Sequence, residues 1–271
     1  MIRDITIGQY YPAKSPVHRL DPRVKLLGTL VFVISLFIEK NVLIYGIATI
    51  VLIVLIALSR VPFSYMLKGL KPIMFLLIFT CAMNLFFVKG EHLIWHWHFI
   101  SIYTESVNRA LFLGVRLTEL ILGSALMTYT TTPTELTDGL EKAFSPLAKL
   151  HLPIHEVALM MSITLRFIPI LTEELDRIMK AQSARCVDFD EGGIIKRIKK
   201  MSTLLMPLFS SALKRAGDLA LAMEARCYQA GQARTKLHPL KYRKSDMAAY
   251  CLIFVYLSVI ILSLIHISEP T

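Results

Sequence analysis

The chain has 271 residues, of which 55% are hydrophobic and 18% charged, a balance that excludes an ordinary soluble domain with a charged coat. Its formal net charge of +10 does not point to nucleic acid, because no aromatic-interleaved basic patch accompanies it, and in so apolar a chain excess Lys and Arg mark cytoplasmic loops. Of the 30 Lys and Arg, 18 fall between residues 130 and 246 with 13 of the 20 acids, so charge gathers in one island while apolar runs on either side call for a bilayer. Residues 1–23 are polar, carry Pro12, Pro16 and Pro22, and lack the basic-then-apolar order of a cleaved signal, which leaves the first span to direct insertion. Spans are expected at about 24–38, 42–59, 70–88, 110–129 and 247–265. The first two form a tight hairpin across residues 39–41. A loop holding Trp95, Trp97 and Tyr103 precedes the fourth, and such aromatics suit a membrane–water boundary.

Basic residues Arg19, Arg23 and Lys25 before the first span and Arg60, Lys68 and Lys71 before the third place the N-terminus inside. The fold expected is all-α and polytopic, a bundle of about five transmembrane helices with a cytoplasmic domain of long amphipathic helices. Its parts are residues 1–129 (an N-terminal segment and four spans), 130–246 (the cytoplasmic domain) and 247–271 (the last span and a tail). Cys81, Cys186, Cys227 and Cys251 lie far apart with no CxxC pair and read as reduced thiols.

Within the island, Thr131-Thr132-Pro133-Thr134-Glu135 reads as a helix start, with a Thr cap, Pro in the first turn and an acid at the positive end of the dipole. Residues 155–186 are apolar with helical period, and Pro169 should kink them. Gly192-Gly193 break the chain. Beyond them Ile198, Met201, Leu205, Leu208, Ala212, Leu219 and Met223 recur at the spacing of one helix face, with Lys196, Arg197, Lys199, Lys200, Lys214, Arg215 and Asp218 off the stripe.

Two helices of the island end alike, in Ala184-Arg185-Cys186 and Ala225-Arg226-Cys227. An Arg between small neighbours at a helix end can extend its fork of donors into a carboxylate-lined groove on another protein. Answering the helix dipole is the modest alternative, worth about 0.3–1 kcal/mol. Two copies with identical flanks favour a partner with two equivalent docking sites. No GxxxxGK[ST] phosphate loop occurs, so any ATP energy comes from another chain.

Other polar groups have plainer readings. Arg116 and Glu119 lie inside the fourth span at i and i+3, where mutual pairing is expected ahead of an ion path. His92, His96 and His98 interleave with the loop tryptophans and read as interfacial, not as a metal site. Glu173, Glu174 and Asp176 beside Arg177 and Lys180 read as ion-paired helix surface. Met160, Met161, Met201, Met206 and Met223 suit adaptable packing.

Over nearly its whole length the chain resembles the transmembrane T component of energy-coupling factor transporters, the EcfT/CbiQ family. The resemblance rests on Ser15-Pro16-Val17-His18-Arg19-Leu20-Asp21-Pro22-Arg23-Val24-Lys25-Leu26 at the opening, on Thr132-Pro133-Thr134-Glu135-Leu136, on Leu165-Arg166-Phe167-Ile168-Pro169, and on the two Ala-Arg-Cys tripeptides. These tripeptides stand where the family has Ala-Arg-Gly or Ala-Arg-Ser, so Cys replaces a small residue twice. The resemblance implies a non-catalytic, multi-pass subunit of a prokaryotic plasma membrane, without a cofactor of its own. Arg185 and Arg226 would end coupling helices docked on two ABC ATPase subunits that bind ATP and Mg²⁺. A separate substrate-binding membrane protein, the S component, would take the vitamin or micronutrient, and the stripe from Ile198 to Met223 would be its interface. The competing readings are a membrane enzyme using Arg116, Glu119 or the outer histidines and, within the family, a module dedicated to one substrate such as cobalt, nickel or biotin.

Overall fold

Each apolar run long enough to bury its backbone hydrogen bonds within itself becomes a helix, as the absence of water in a bilayer requires. The computed structural model describes residues 10–38, 42–87, 92–97, 100–146, 153–187, 189, 193–229, 231 and 240–268. Its helices are α1 (Pro22–Ile38), α2 (Val42–Ser59), α3 (Phe63–Phe87), α4 (Thr104–Thr130), α5 (Pro133–Phe144), α6 (Ile154–Ala184), α7 (Ile194–Ala225) and α8 (Lys244–Ser268). The loop expected before α4 is instead an antiparallel hairpin of β1 (Leu93–Trp97) and β2 (Ile100–Tyr103), with Trp95 opposite Ile102 and Trp97 opposite Ile100. Among the described residues every other element is a helix, and the all-α class stands.

The chain divides into two units, Met1–Gly139 with Leu240–Thr271, and Leu140–Pro239, and α5 runs through the boundary. In the first unit α1, α2, α3, α4 and α8 pack around Phe32, Leu36, Tyr45, Leu52, Met66, Leu122 and Tyr129. The outer surface stays apolar: Phe75 is 79% exposed, Phe87 73% and Phe254 72%. Water does not tolerate so continuous an apolar surface, and lipid does. Among the described residues, Gly69–Phe87, Thr104–Thr130, Ile154–Ala184 and Lys244–Ser263 are long and apolar enough to span a membrane, with the shorter Ile44–Ser59 beside them. By length and composition α6 therefore qualifies as a span, although the sequence groups it with the charged island.

One end of this unit is tied by backbone and carboxylate. Residues 10–21 cross it, with the Tyr11 N–H donating to the Tyr129 carbonyl at 3.0 Å. Asp21 precedes α1 as its cap and accepts from the Arg23 N–H at 3.0 Å, while Pro22 occupies the first helical position, where its missing N–H costs nothing. Asp246 joins two segments, its Oδ1 accepting from the Asp21 N–H at 2.9 Å and its Oδ2 from the Arg243 N–H at 2.6 Å. The Lys25 ammonium donates to the carbonyls of His18 (3.1 Å) and Thr130 (2.8 Å). α5 starts on a full capping box, the Glu135 N–H donating to Thr132 Oγ1 at 3.2 Å and the Thr132 N–H to Glu135 Oε2 at 3.1 Å.

The second unit is built on α6 and α7, which pack together and carry Pro169 and Pro207 within continuous helix. His155 at the start of α6 meets Glu141 of α5 at 2.8 Å, and Glu156 accepts from the Gly231 N–H at 3.1 Å, holding the chain beyond α7 near the α6 start.

Candidate docking site at two matched helix ends

A helix leaves its last carbonyls without intrahelical partners, and a residue in the left-handed region just past the end can turn the chain back to satisfy them. Both long helices of the second unit end this way. At α6, Arg185 caps at φ −91°, Cys186 turns to φ 62°, the Cys186 N–H donates to the Ser183 carbonyl at 3.0 Å and the Val187 N–H to the Gln182 carbonyl at 3.1 Å. At α7, Arg226 caps at φ −95°, Cys227 turns to φ 57°, the Cys227 N–H donates to the Glu224 carbonyl at 2.8 Å and the Tyr228 N–H to the Met223 carbonyl at 3.0 Å. This is the complete Schellman motif, twice, with Cys where glycine is usual. The repeated tripeptide thus encodes a repeated turn, which presents an exposed Arg followed by an exposed thiol. Among the described residues neither guanidinium has an acidic partner in its own chain.

Between the two helices Arg215 Nη2 meets Glu174 Oε2 at 3.0 Å, in a half-buried pair. Glu174 lies eleven residues before Arg185, and Arg215 eleven before Arg226. The ion pair therefore joins equivalent positions of the two helices, and at 1.5 Å per residue each exposed Arg stands about 16 Å along its helix from it. Glu173, by contrast, makes only a surface pair with Arg177 at 3.9 Å.

The apolar stripe divides. Ile198 (63%), Met201 (46%) and Leu205 (63%) are exposed, whereas Leu208, Ala212, Leu219 and Met223 are half-buried. Leu204 beside the stripe is buried, and Met206, Phe209, Leu213 and Leu221 are 57–75% exposed. Apolar residues thus wrap much of α7, and a count at helical spacing finds one row without telling which edge of it is covered. The uninterrupted run Leu204-Leu205-Met206 was the signal for the wider face.

Arg116 and Glu119 turn to α2 separately. Arg116 Nε donates to the Tyr45 hydroxyl at 2.6 Å, and Thr49 donates to Glu119 Oε1 at 2.5 Å. Tyr45 and Thr49 are one turn apart on α2, so the two polar side chains of α4 fasten it to a neighbouring helix. No spacing rule could find partners 70 residues away. The backbone of His92 closes the base of the hairpin, its carbonyl accepting from the Thr104 N–H at 3.0 Å, while His98 lies outside the described residues.

A model of the CbiQ family, described as cobalt transport protein, matches residues 13–237. The chain is similar to proteins named energy-coupling factor transporter transmembrane protein EcfT. The one from Ruminiclostridium cellulolyticum is 44% identical over 262 residues, covering 97% of this chain and 98% of the relative. That of Clostridium kluyveri is 45% identical over 264 residues, with 97% and 98% covered, and that of Bacillus subtilis 47% identical over 246 residues, with 91% and 93% covered.

Proposed function

The chain belongs to the CbiQ family, and from that membership we propose that it is the transmembrane component of an energy-coupling factor transporter, carrying the motion of two ABC ATPase subunits to a separate substrate-binding membrane protein. The observation that carries this reading is the pair of identical Arg-bearing turns, set at equal distances from an ion pair between equivalent positions. A partner that is itself a dimer offers two like grooves, and two like ends suit it. Each planar guanidinium accepts bidentate pairing with a groove carboxylate, which an ammonium does not reproduce. ATP and Mg²⁺ bind the partner subunits. As those subunits close, the gripped ends move and each helix follows as a unit, with Glu174–Arg215 linking the two. The stripe of α7 meets the substrate-binding protein, and its exposed members Ile198, Met201 and Leu205 are the first to do so.

Reversing charge at either end tests the assignment. Arg185→Glu or Arg226→Glu should abolish ATP-driven uptake and strip the ATPases on co-purification while membrane insertion is unchanged, since a buried charge pair broken on one side costs roughly 2–5 kcal/mol. Arg→Lys should be intermediate. Leu205→Asp should instead release the substrate-binding protein and leave the ATPases attached. Wild-type uptake in both Arg variants refutes the docking role, and loss of the ATPases in Leu205→Asp refutes the division of labour along α7.

A further inference from the structure

At one end of the first unit the starts of α1, α3 and α8 and the ends of α2 and α4 come together, as the contacts of residues 10–21 show. Tyr11 is bonded to Tyr129 of α4 and lies 5.5 Å, ring to ring, from Tyr65 of α3. The Lys14 carbonyl accepts from Arg60 at the end of α2, and the Asp21 N–H donates to Asp246 of α8. Asp246 thus fixes two chain segments side by side that are 225 residues apart in sequence. A second contact holds them: Arg23 Nη1 donates to the Tyr242 hydroxyl at 3.0 Å, with the guanidinium 4.7 Å from the centre of that ring.

This juncture brings the cations of both segments together. Arg19 before α1, and Lys241, Arg243 and Lys244 at the start of α8, are all exposed, and among the described residues none of them has a carboxylate within ion-pair distance. Of the acids at this juncture, Asp21 and Asp246 are buried, accepting from backbone N–H groups and, for Asp21, also facing Arg23 Nε at 3.5 Å, while the exposed Glu135 accepts from the Thr132 N–H; four exposed cations against one exposed acid leave the surface positive. Directly beyond the cations along α8 come Met247 (73% exposed), Leu252 (69%) and Phe254 (72%), and Tyr242, 55% exposed, sits among them. Cation, aromatic and then bare apolar surface is the order in which a membrane presents phosphate, interface and acyl chain.

We infer that the joined starts of α1 and α8 form a binding surface for anionic phospholipid headgroups, with Arg19, Lys241, Arg243 and Lys244 supplying the charge and the Arg23–Tyr242 contact fixing the two segments in register. Phosphates of the inner leaflet lie at the level of these side chains when α8 is in the membrane, and an unpaired basic cluster there attracts anionic lipid in preference to zwitterionic lipid. The inference does not depend on the docking role of Arg185 and Arg226.

Native mass spectrometry of the intact complex, released from membranes of mixed phosphatidylglycerol and phosphatidylcholine, counts the lipids that stay bound. Wild type should retain phosphatidylglycerol selectively, as should a control with Lys142, Lys180 and Lys214 changed to Gln. A variant with Arg19, Lys241, Arg243 and Lys244 changed to Gln should lose most of that retention, by about tenfold. Retention equal to wild type overturns the proposal, as does loss of the ATPases with phosphatidylglycerol unchanged, which would make the surface a protein interface. Should the variant not fold, wild type in nanodiscs decides. Phosphatidylglycerol should raise its melting temperature above that in phosphatidylcholine, and the difference should shrink at high salt, where the screening length falls to a few ångströms. Equal melting in the two lipids, or a difference indifferent to salt, overturns it equally.

Discussion

Replacing Cys186 or Cys227 with glycine should stabilise the protein, because both cysteines sit in the left-handed region, at φ 62° and 57°. In that region an L-residue crowds its Cβ against the following carbonyl, at roughly 1–2 kcal/mol, and glycine does not. Glycine gives back part of this through its freer unfolded chain, roughly 0.5–1 kcal/mol. Both thiol side chains are exposed, so their removal sacrifices little packing. The net gain should be about 0.5–1 kcal/mol at each end, or about 2 °C in melting temperature for a chain of this size. Valine, whose branched Cβ is worse suited to positive φ than cysteine, should lose about as much. The assay is the fraction of detergent-solubilised protein that remains monodisperse after heating, with ATPase co-purification measured alongside. Glycine should keep the turn and valine should weaken it; under the docking role proposed for the Arg beside it, ATPase co-purification should follow the turn in both variants. A Cys227→Gly variant that melts lower than wild type, or a Cys227→Val variant indistinguishable from it, refutes the reasoning.

Two further outcomes rest on packing and protonation. A Cβ on Gly123 would lie 2.7 Å from Phe32 Cε1 and 2.9 Å from Cδ1, so Gly123→Ala should cost about 1–3 kcal/mol by forcing α1 from α4, and adding Phe32→Leu should recover part of it; an unchanged melting temperature for the single variant counts against this contact. Burial holds the His18 imidazole below its usual pKa, with the Lys25 ammonium acting in the same direction against the Tyr11 carbonyl and Glu135. Ser15 Oγ lies 2.7 Å from Nδ1 and the Tyr11 carbonyl 3.0 Å from Nε2, a setting that suits a neutral ring. The stability it contributes is present above about pH 6.5, the unfolded value, and is lost as pH falls through the lower folded value. Melting temperature should therefore drop between pH 7.5 and 5 more steeply in wild type than in His18→Gln, and parallel curves would exclude His18 as a source of the slope.

Helix existence was legible wherever the determinants are local. The second span, the Thr132–Glu135 cap and the start of α7 at Ile194 are each written within a few neighbouring residues. The shared ending of α6 and α7 was legible as a repeat of three letters, although its physical content, a left-handed turn on Cys, was not, because cysteine carries no strong preference for positive φ. α3 begins at Phe63, seven residues ahead of its apolar run, since Lys68 and Lys71 are compatible with a helix that hydropathy alone does not see. The hairpin hid behind its aromatics, though the alternation Trp95-His96-Trp97 has the period of a strand. Pairing across distance was wholly illegible. Arg116 and Glu119 find Tyr45 and Thr49 in place of each other, and Lys25, read as a charge marking the cytoplasmic side, is a buried donor to two carbonyls.

Asp246 also sets an order of assembly. The start of α1 is completed by α8, since the Asp21 N–H finds its acceptor only when residue 246 has been synthesised, 225 positions later. Gly28 of α1 likewise faces Ile253 of α8, so the seam between them stays open while α2 to α7 emerge. Closing so long a loop is slow compared with forming any of the helices within it. The nascent protein therefore has its earlier spans made before the seam between α1 and α8 can close, and that closure waits on Asp246 and Ile253.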